Sequence, residues 1–351
     1  MKISHYFCFG GFLLLCVNIA FAKEENSFSY KDWAITCDNT RTCRAEGYQL
    51  ESYDEFTKES NPISMLITRS AGPNTLVDIR IQVSSEIDSE TNYVPSNKWS
   101  FYIGNLELSG KPDVKSLTWH LSALQVKQLL PELLRQSSAT LVDGNLSWHL
   151  SLVGAKAMLL KMDDKQGRLS TPGALVKRGS RDENQVLKPL VAPKLYAVAL
   201  EKQRPNDKKL GKLMLAEINK DDYLDCNDVY EHKLPSPIIY RLTNSKVLMS
   251  IECPTGAYNY TSLLWIADDK PPYQPKLQEA NGDFDNGAVQ ESFKGRGIGD
   301  CWSSRTWYFD GNKFVTTGES TSGMCRGFVG GAWNVPNYVS KVIKKRLDLV
   351  N

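Results

Sequence analysis

Six cysteines that follow a predicted export signal constrain the fold of this chain more than any other feature. The chain has eight cysteines in 351 residues, and Cys8 and Cys16 lie inside the signal. An even number of cysteines in an exported protein indicates disulfide bonds. Six cysteines allow many pairings, and we predict the pairing of sequence neighbours: Cys37 with Cys43, Cys226 with Cys253, and Cys301 with Cys325.

A metal site is the alternative use of these cysteines. Structural zinc sites combine closely spaced cysteines and histidines. The sequence has no C-x-x-C, and His120, His149 and His232 do not lie at ligand spacing from a cysteine. We therefore predict no metal site and no cofactor.

The first 22 residues predict a secretory signal peptide. Lys2 precedes an apolar run over residues 7–21, and Ala20-Phe21-Ala22 forms an A-x-A cleavage site. The run is shorter than the ~20 residues that a membrane span needs, so we expect cleavage after Ala22 and no membrane span in the mature chain. An uncleaved anchor or a lipoprotein at Cys16 are the alternatives. The formal net charge of +2 argues against nucleic acid as a partner.

The hydrophobic pattern changes along the chain. Val77, Ile79 and Ile81 alternate with polar residues, which predicts a strand with one buried face. Ser122 followed by Gln125 predicts a capped helix start, and Pro131 is expected to kink that helix or to begin a second one. In the second half, residues 310–312 (Asp-Gly-Asn) predict the turn of a hairpin.

These patterns predict an α+β fold of two β-rich domains, stapled by disulfides, the first of which carries two to three helices. We expect an N-terminal α+β domain over residues 23–188 and a β-rich C-terminal domain over residues 213–351. We expect residues 189–212 to form a linker, because they contain Pro189 and Pro193, followed by a basic stretch.

Three stretches carry a resemblance to a known family. They are "DWAITCDNTRTCRAEGY", "LSLVGAKAMLLKMDDKQGRLSTPGALVKRG", and "CPTGAYNYTSLLWIAD" with "KGRGIGDCWSSRTWYFDG" and "MCRG". Together they resemble domain-of-unknown-function family 1176, exported proteins of Gram-negative bacteria, over residues 28–335. The resemblance implies export to the periplasm and disulfide bonds, but it implies no activity. The first half also resembles the invasion-associated locus B family.

The sequence lacks common catalytic signatures. It contains no G-x-S-x-G, no H-E-x-x-H and no S-x-x-K. His120 and His149 each follow a tryptophan in a segment whose sequence is typical of a strand or a helix. This position is typical of half-buried structural histidines. We therefore predict a non-catalytic protein. An envelope hydrolase whose carboxylates converge only in the folded chain is the alternative.

The stretch 294–302 is the predicted ligand-binding site. Glycines can align backbone amides into an anion-binding nest, Lys294 and Arg296 add positive charge, and Trp302 offers a stacking surface. The predicted disulfide would bring Arg326 towards Asp300 and its neighbours. The alternative is a stapled β-corner in which Asp300 caps backbone amides.

The predicted function is therefore a non-catalytic binding or interaction module, such as an inhibitor or an immunity factor. We expect its partner to be an unknown envelope protein or a small anionic or glycan ligand.

Overall fold

A computed structural model describes residues 27–50, 61–84, 86–88, 91–223, 226, 234–254 and 259–344. The predicted signal peptide, its cleavage site and His232 lie outside the described residues. Within these ranges, no helix has the length and apolar character needed to span a membrane. The fold is α+β and β-rich with three disulfide bonds, which confirms the predicted class.

Twelve strands and two helices build the described part of the N-terminal half. The strands are Ser27–Tyr30 (β1), Trp33–Cys37 (β2), Cys43–Tyr48 (β3), Ile63–Arg69 (β4), Val77–Val83 (β5), Glu86–Asp88 (β6), Thr91–Asn92 (β7), Trp99–Ile103 (β8), Leu106–Gly110 (β9), Thr118–His120 (β10), Ser138–Asp143 (β11) and Leu146–Ser151 (β12). The helices are Ala123–Leu133 (α1) and Ala155–Lys165 (α2).

Ten of these strands form two antiparallel sheets over one core, and β6 and β7 pair as a separate two-stranded sheet. Of the two main sheets, the larger has the order β1-β2-β3-β4-β5-β10 and the smaller the order β12-β11-β8-β9. Ile79 and Ile81 point into the core, as their alternation predicts, and they join a single apolar cluster that extends from Trp33 to Leu175. Gly47 is required in β3 because a Cβ there would overlap the ring of Trp33.

The start of α1 and the end of α2 lie at residues that are typical of helix boundaries. Ser122 and Gln125 form the predicted capping box at the start of α1. α1 continues through Pro131 to Leu133, so Pro131 does not begin a second helix, and the predicted kink stays a prediction. Gly167 follows the end of α2 in a left-handed conformation, with φ of 65°, which glycine adopts without strain.

The described C-terminal half consists of eleven strands and a helix. They are Lys194–Ala197 (β13), Asp207–Leu215 (α3), Ile238–Arg241 (β14), Lys246–Pro254 (β15), Tyr260–Asp268 (β16), Lys276–Leu277 (β17), Asp283–Asp285 (β18), Ala288–Lys294 (β19), Trp302–Phe309 (β20), Phe314–Thr321 (β21), Val335–Val339 (β22) and Lys341–Lys344 (β23). Two short 3₁₀ helices, Glu183–Gln185 and Lys220–Tyr223, complete the elements.

Two antiparallel sheets, β14-β15-β16-β17 and β18-β19-β20-β21-β22, dominate this half. The hairpin predicted at residues 310–312 joins β20 to β21. The segment 189–212, expected to be a linker, includes some regular structure, and its role as a linker stays a prediction. It contains β13, which pairs with β23, and the start of α3, whose buried Asp207 bonds to Arg241. The division into two domains stays a prediction.

The three predicted disulfides are all present. Cys37 and Cys43 are directly opposite each other in the β2–β3 pair, with their Cα atoms 4.0 Å apart. The Cα atoms are 5.2 Å apart in the bond between Cys226 and Cys253, and 4.8 Å apart in that between Cys301 and Cys325.

The two halves meet at a polar junction. Residues of β3 and the turn after it contact residues 324–333, where Tyr48 packs against Phe328. Hydrogen bonds cross the junction from Trp333 Nε1 to Ser64 Oγ at 2.7 Å and from Gln49 Nε2 to the Arg326 carbonyl at 2.7 Å. The Cys301–Cys325 bond ties this junction to the predicted binding loop.

Candidate functional site

The loop 294–302 connects β19 to β20 and is held by its own contacts. The Arg296 guanidinium, 47% exposed, forms a two-pronged ion pair with the buried Asp300, with Nε at 3.0 Å from Oδ1. The Gly327 amide also donates to Asp300, at 2.7 Å. Burial alone raises the pKa of Asp300, but the hydrogen bonds from Arg296 and Gly327 lower it more, so this pKa lies below its usual range.

Two of the three loop glycine amides bond within the protein. The amide of Gly295 donates to the Cys301 carbonyl and that of Gly299 to the Arg296 carbonyl, both at 2.9 Å. The Lys294 ammonium lies 5.2 Å from the centre of the Trp302 ring, whose Nε1 donates to the Gly299 carbonyl. These contacts are those of a stapled corner. Ligand binding by this loop stays a prediction.

Arg326 contacts the other half of the molecule. Its guanidinium is buried and donates to Asp32 Oδ1 at 3.2 Å and to the Gln49 carbonyl at 3.4 Å. These hydrogen bonds of Arg326 lie at the junction of the two halves. The disulfide does bring residue 327 to Asp300, but through its backbone amide.

Asp300, Cys301 and Cys325 place their potential ligand atoms within 4.8 Å of one another. Both sulfurs are, however, joined in a disulfide bond. Metal ions bind the thiolate form of cysteine, so this group leaves one carboxylate as a donor and does not fit a metal centre.

A cleft of about 620 Å³ lies between β5, β10, α1 and the loop 173–178, and we call it the β5–α1 cleft. Its apolar wall contains Val77 on β5, Val126 and Leu130 on α1, and Leu175 on the loop. Leu76 stands at its edge with 82% of its surface exposed. The cleft therefore offers an apolar surface that the described part of the chain leaves open.

Positive charge lines the same cleft. Lys127 and Arg178 are exposed, and Arg69 lies buried behind them. Arg69 donates to the Thr75 carbonyl at 3.2 Å and to the Gly173 carbonyl at 2.8 Å. Burial, and then the charge of nearby Arg168, lower the pKa of Arg69 to about 10, so it stays charged at neutral pH.

His120 and Asp78 form a contact pair on the cleft wall. His120 Nε2 bonds to Asp78 Oδ1, and Arg80 Nε donates to Asp78 Oδ2 at 3.0 Å. The prediction that His120 is half-buried was wrong, because its side chain is 61% exposed. Among the described residues that line the cleft, Asp78 is the one carboxylate.

Comparison with known proteins agrees with the motif resemblance. The family model described as a protein of unknown function, DUF1176, matches residues 27–340. The chain belongs to this family. Uncharacterized protein YpfG of Escherichia coli (strain K12) is 28% identical over 341 residues, which cover 86% of this chain and 89% of that protein. No solved structure matches. The resemblance to the invasion-associated locus B family stays a prediction.

In this DUF1176 chain, the stretch "KMDDKQGRLSTPGALVKRG" builds the cleft wall. Asp163 is fully buried and accepts hydrogen bonds from the amides of Leu175 and Val176, which fixes the loop. Arg168, also fully buried, donates to the Gly72 carbonyl and to Thr75 Oγ1, both at 2.6 Å. Burial raises the pKa of Asp163 and lowers that of Arg168. These charges are therefore used to hold the loop against β4 and β5.

Sequence reasoning missed this cleft because its parts are distant in the chain. Leu76, Lys127 and Arg178 read as single surface residues, and only packing brings them together. One signal was available: Leu76 follows the Gly72–Asn74 turn just before β5, at a place where a turn residue is usually polar.

Proposed function

We propose that this protein is an exported, periplasmic, non-catalytic binding protein, and that its ligand is a small amphipathic anion held in the β5–α1 cleft. The observation that carries the proposal is the combination of apolar wall and cations in one cavity. Ligand sites have volumes of about 300–1,000 Å³, mostly apolar linings and a few placed polar groups. A volume of about 620 Å³ lies within that range.

The charges favour an anionic head group. Lys127 and Arg178 are exposed at the cleft, and Asp78 is the carboxylate among its described lining residues. Asp78 is already bonded by Arg80 and His120. An acyl or aryl group would cover Val126, Leu130 and Leu175, whose burial contributes about 25 cal/mol per Å² of apolar surface. The predicted signal peptide supports an exported location.

The fluorescent anion 8-anilinonaphthalene-1-sulfonate tests this site in the mature protein. We expect saturable binding that weakens at least fivefold in the double variant Lys127→Gln/Arg178→Gln. The neutral analogue N-phenyl-1-naphthylamine, which lacks the sulfonate, should bind both proteins equally. The matched control is Lys156→Gln, an exposed lysine on α2 away from the cleft. Equal sulfonate binding by all three proteins would refute the proposal.

Export and a protein partner are tested separately. The protein recovered from the periplasm should begin at Lys23. An inhibitor- or immunity-like role requires a protein partner. Affinity capture from periplasmic extract with wild type and the double variant would reveal one that depends on this cleft.

A hydrolase is the second candidate, and the His120–Asp78 pair is the observation in its favour. A carboxylate that orients a histidine is the arrangement of a general base. The hydroxyl of the cleft, Thr75 Oγ1, donates to the Ser70 carbonyl and accepts from Arg168, so it is not free to act as a nucleophile. If the chain hydrolyses a p-nitrophenyl ester and His120→Ala abolishes that activity, the enzyme is favoured over the binding protein.

A further inference from the structure

A second cavity, of about 500 Å³, lies at the junction of the two halves, and we call it the Glu46 groove. Strands β1, β2 and β3 form one side of it, and the end of β21 with the residues after it forms the other. Phe28 and Met324 supply apolar walls, and Thr36 and Thr321 supply hydroxyl groups. The groove is separate from the β5–α1 cleft and shares none of its lining residues.

The carboxylate of Glu46 lies at the base of this groove. Glu46 is 3% exposed, and the Tyr48 hydroxyl donates to its Oε2 at 3.1 Å. Among the described residues, no hydrogen bond or ion pair reaches its other oxygen, Oε1. A carboxylate this deeply buried normally has a cation or several donors as partners.

Gly323 makes the approach of the two halves possible at this point. Its φ is 96°, and a Cβ there would overlap the Tyr48 hydroxyl and lie 2.6 Å from Glu46 Oε2. The next amide, that of Met324, donates to the Tyr48 hydroxyl at 3.2 Å. Tyr48 is therefore fixed in place, and it cannot supply a second hydrogen bond to Glu46.

Among the described residues, the nearest cation on the same face of β3 is Arg44, and it is paired with Asp38 at 2.8 Å. The register partners of Glu46 are Ala34 on β2 and Leu66 on β4, and Gly323 faces it from the segment after β21. The one titratable group that acts on it is Tyr48, on its own strand. Burial, which outweighs the hydrogen bond from Tyr48, raises the pKa of Glu46 to about 7.

We propose that the Glu46 groove is a second binding site, which takes a small ligand with a protonated amine. The ammonium group would pair with Glu46, donate to the hydroxyl oxygen of Thr36 or Thr321, and place an apolar or aryl group between Phe28 and Met324. A cation is the partner that offsets the cost of an ionised buried carboxylate. The three N–H donors of an ammonium suit one carboxylate oxygen and two hydroxyls.

Proton linkage follows from this arrangement. The ammonium binds the ionised form of Glu46, so binding displaces the proton that Glu46 holds below pH 7. The dissociation constant should therefore be about tenfold larger at pH 6 than at pH 8, where most of the carboxyl groups are ionised.

Benzylammonium is the probe, and isothermal titration calorimetry with the mature protein is the measurement. Wild type should bind it at millimolar concentration at pH 8, with the tenfold loss at pH 6. Glu46→Gln keeps the shape of the side chain and the contact to Tyr48, and should weaken binding at least tenfold at pH 8 and remove the pH dependence. Benzyl alcohol, the neutral isostere, should bind wild type and Glu46→Gln alike. The control variant is Glu252→Gln, an exposed carboxylate on β15.

The proposal would be overturned if wild type does not bind benzylammonium, or if Glu46→Gln binds it as tightly as wild type does. Phe28→Ala adds a second test that leaves the carboxylate in place, and it should weaken binding a few-fold. The sulfonate experiment on the β5–α1 cleft is read independently, because Glu46→Gln leaves Lys127 and Arg178 unchanged. Each site can therefore fail without the other.

Discussion

The buried carboxyl of Glu46 should make the stability of this protein depend on pH in a direction opposite to that of most acidic groups. Its pKa rises from an ordinary 4.5 to about 7 in the folded chain. Between these values the unfolded chain has lost the proton while the folded chain retains it. The folded state then binds more protons, so the free energy of unfolding falls as pH rises. Below pH 4.5 and above pH 7, the contribution no longer changes.

The magnitude follows from the size of the shift. The pKa of Glu46 rises from 4.5 to about 7 on folding. At about 1.4 kcal/mol per pKa unit, this rise corresponds to about 3 kcal/mol. Glu46→Gln removes the titration and keeps a side chain of the same shape. We expect the variant to match wild type near pH 4 and to exceed it by about 3 kcal/mol at pH 8.

The assay is urea denaturation followed by tryptophan fluorescence, from pH 4 to pH 8, with the disulfides intact and no amine in the buffer. The quantity to compare is the difference between variant and wild type at each pH, because every other titrating group cancels in it. Glu252→Gln, in which an exposed carboxylate changes, should show a difference near zero throughout. A Glu46→Gln difference that stays constant with pH would refute the reasoning about burial.

The remaining predictions concern the junction, the packing and the disulfides. Arg326→Ala should lower the free energy of unfolding by about 3–5 kcal/mol, because it leaves the buried Asp32 without its ion-pair partner. Arg80→Ala, which removes an exposed ion pair, should lower it by less than about 1 kcal/mol. Thermal melts compare the two variants, and an unchanged melting temperature for Arg326→Ala would support a ligand-binding role for Arg326 instead. Gly47→Ala should lower the melting temperature by several degrees, because the added Cβ would overlap Trp33. Gly318→Ala, where the added Cβ would meet open space, should leave the melting temperature unchanged. Equal melting temperatures for the two variants would refute the steric argument. Mass mapping of unreduced peptides should find the three disulfides of the structure, and any free cysteine among the six would contradict it.

Local features of the fold could be predicted from the sequence. The Ser122–Gln125 capping box and the hairpin after Phe309 are present as predicted. Each depends on contacts between residues a few positions apart, where turn chemistry and hydrophobic period act directly. The Cys37–Cys43 disulfide belongs with them, since its two cysteines are opposite each other on the paired strands β2 and β3.

The loop 294–302 shows where such reasoning stops. Glycines, cations and a tryptophan in one stretch are compatible with a ligand nest and with a stapled corner, because both need the same residue types. Asp300 decides the geometry: its bonds to Arg296 and to the Gly327 amide use the charge within the loop. Whether the Gly327 amide reaches Asp300 depends on the path of the chain beyond Cys325.

By itself, the sequence indicated the family through three motif stretches, and it determined the fold class, the start of α1 at Ser122 and the hairpin at residues 310–312, because these local features rest on hydrophobic period and short-range contacts. Only the tertiary structure decided that Arg326 pairs with Asp32, 294 residues away. It also decided that Leu76, Lys127 and Arg178 share a cleft, and that Glu46 lies buried with Tyr48 as its hydrogen-bond partner. Such outcomes depend on which surfaces pack together, and burial then sets the charge state and accessibility of each side chain.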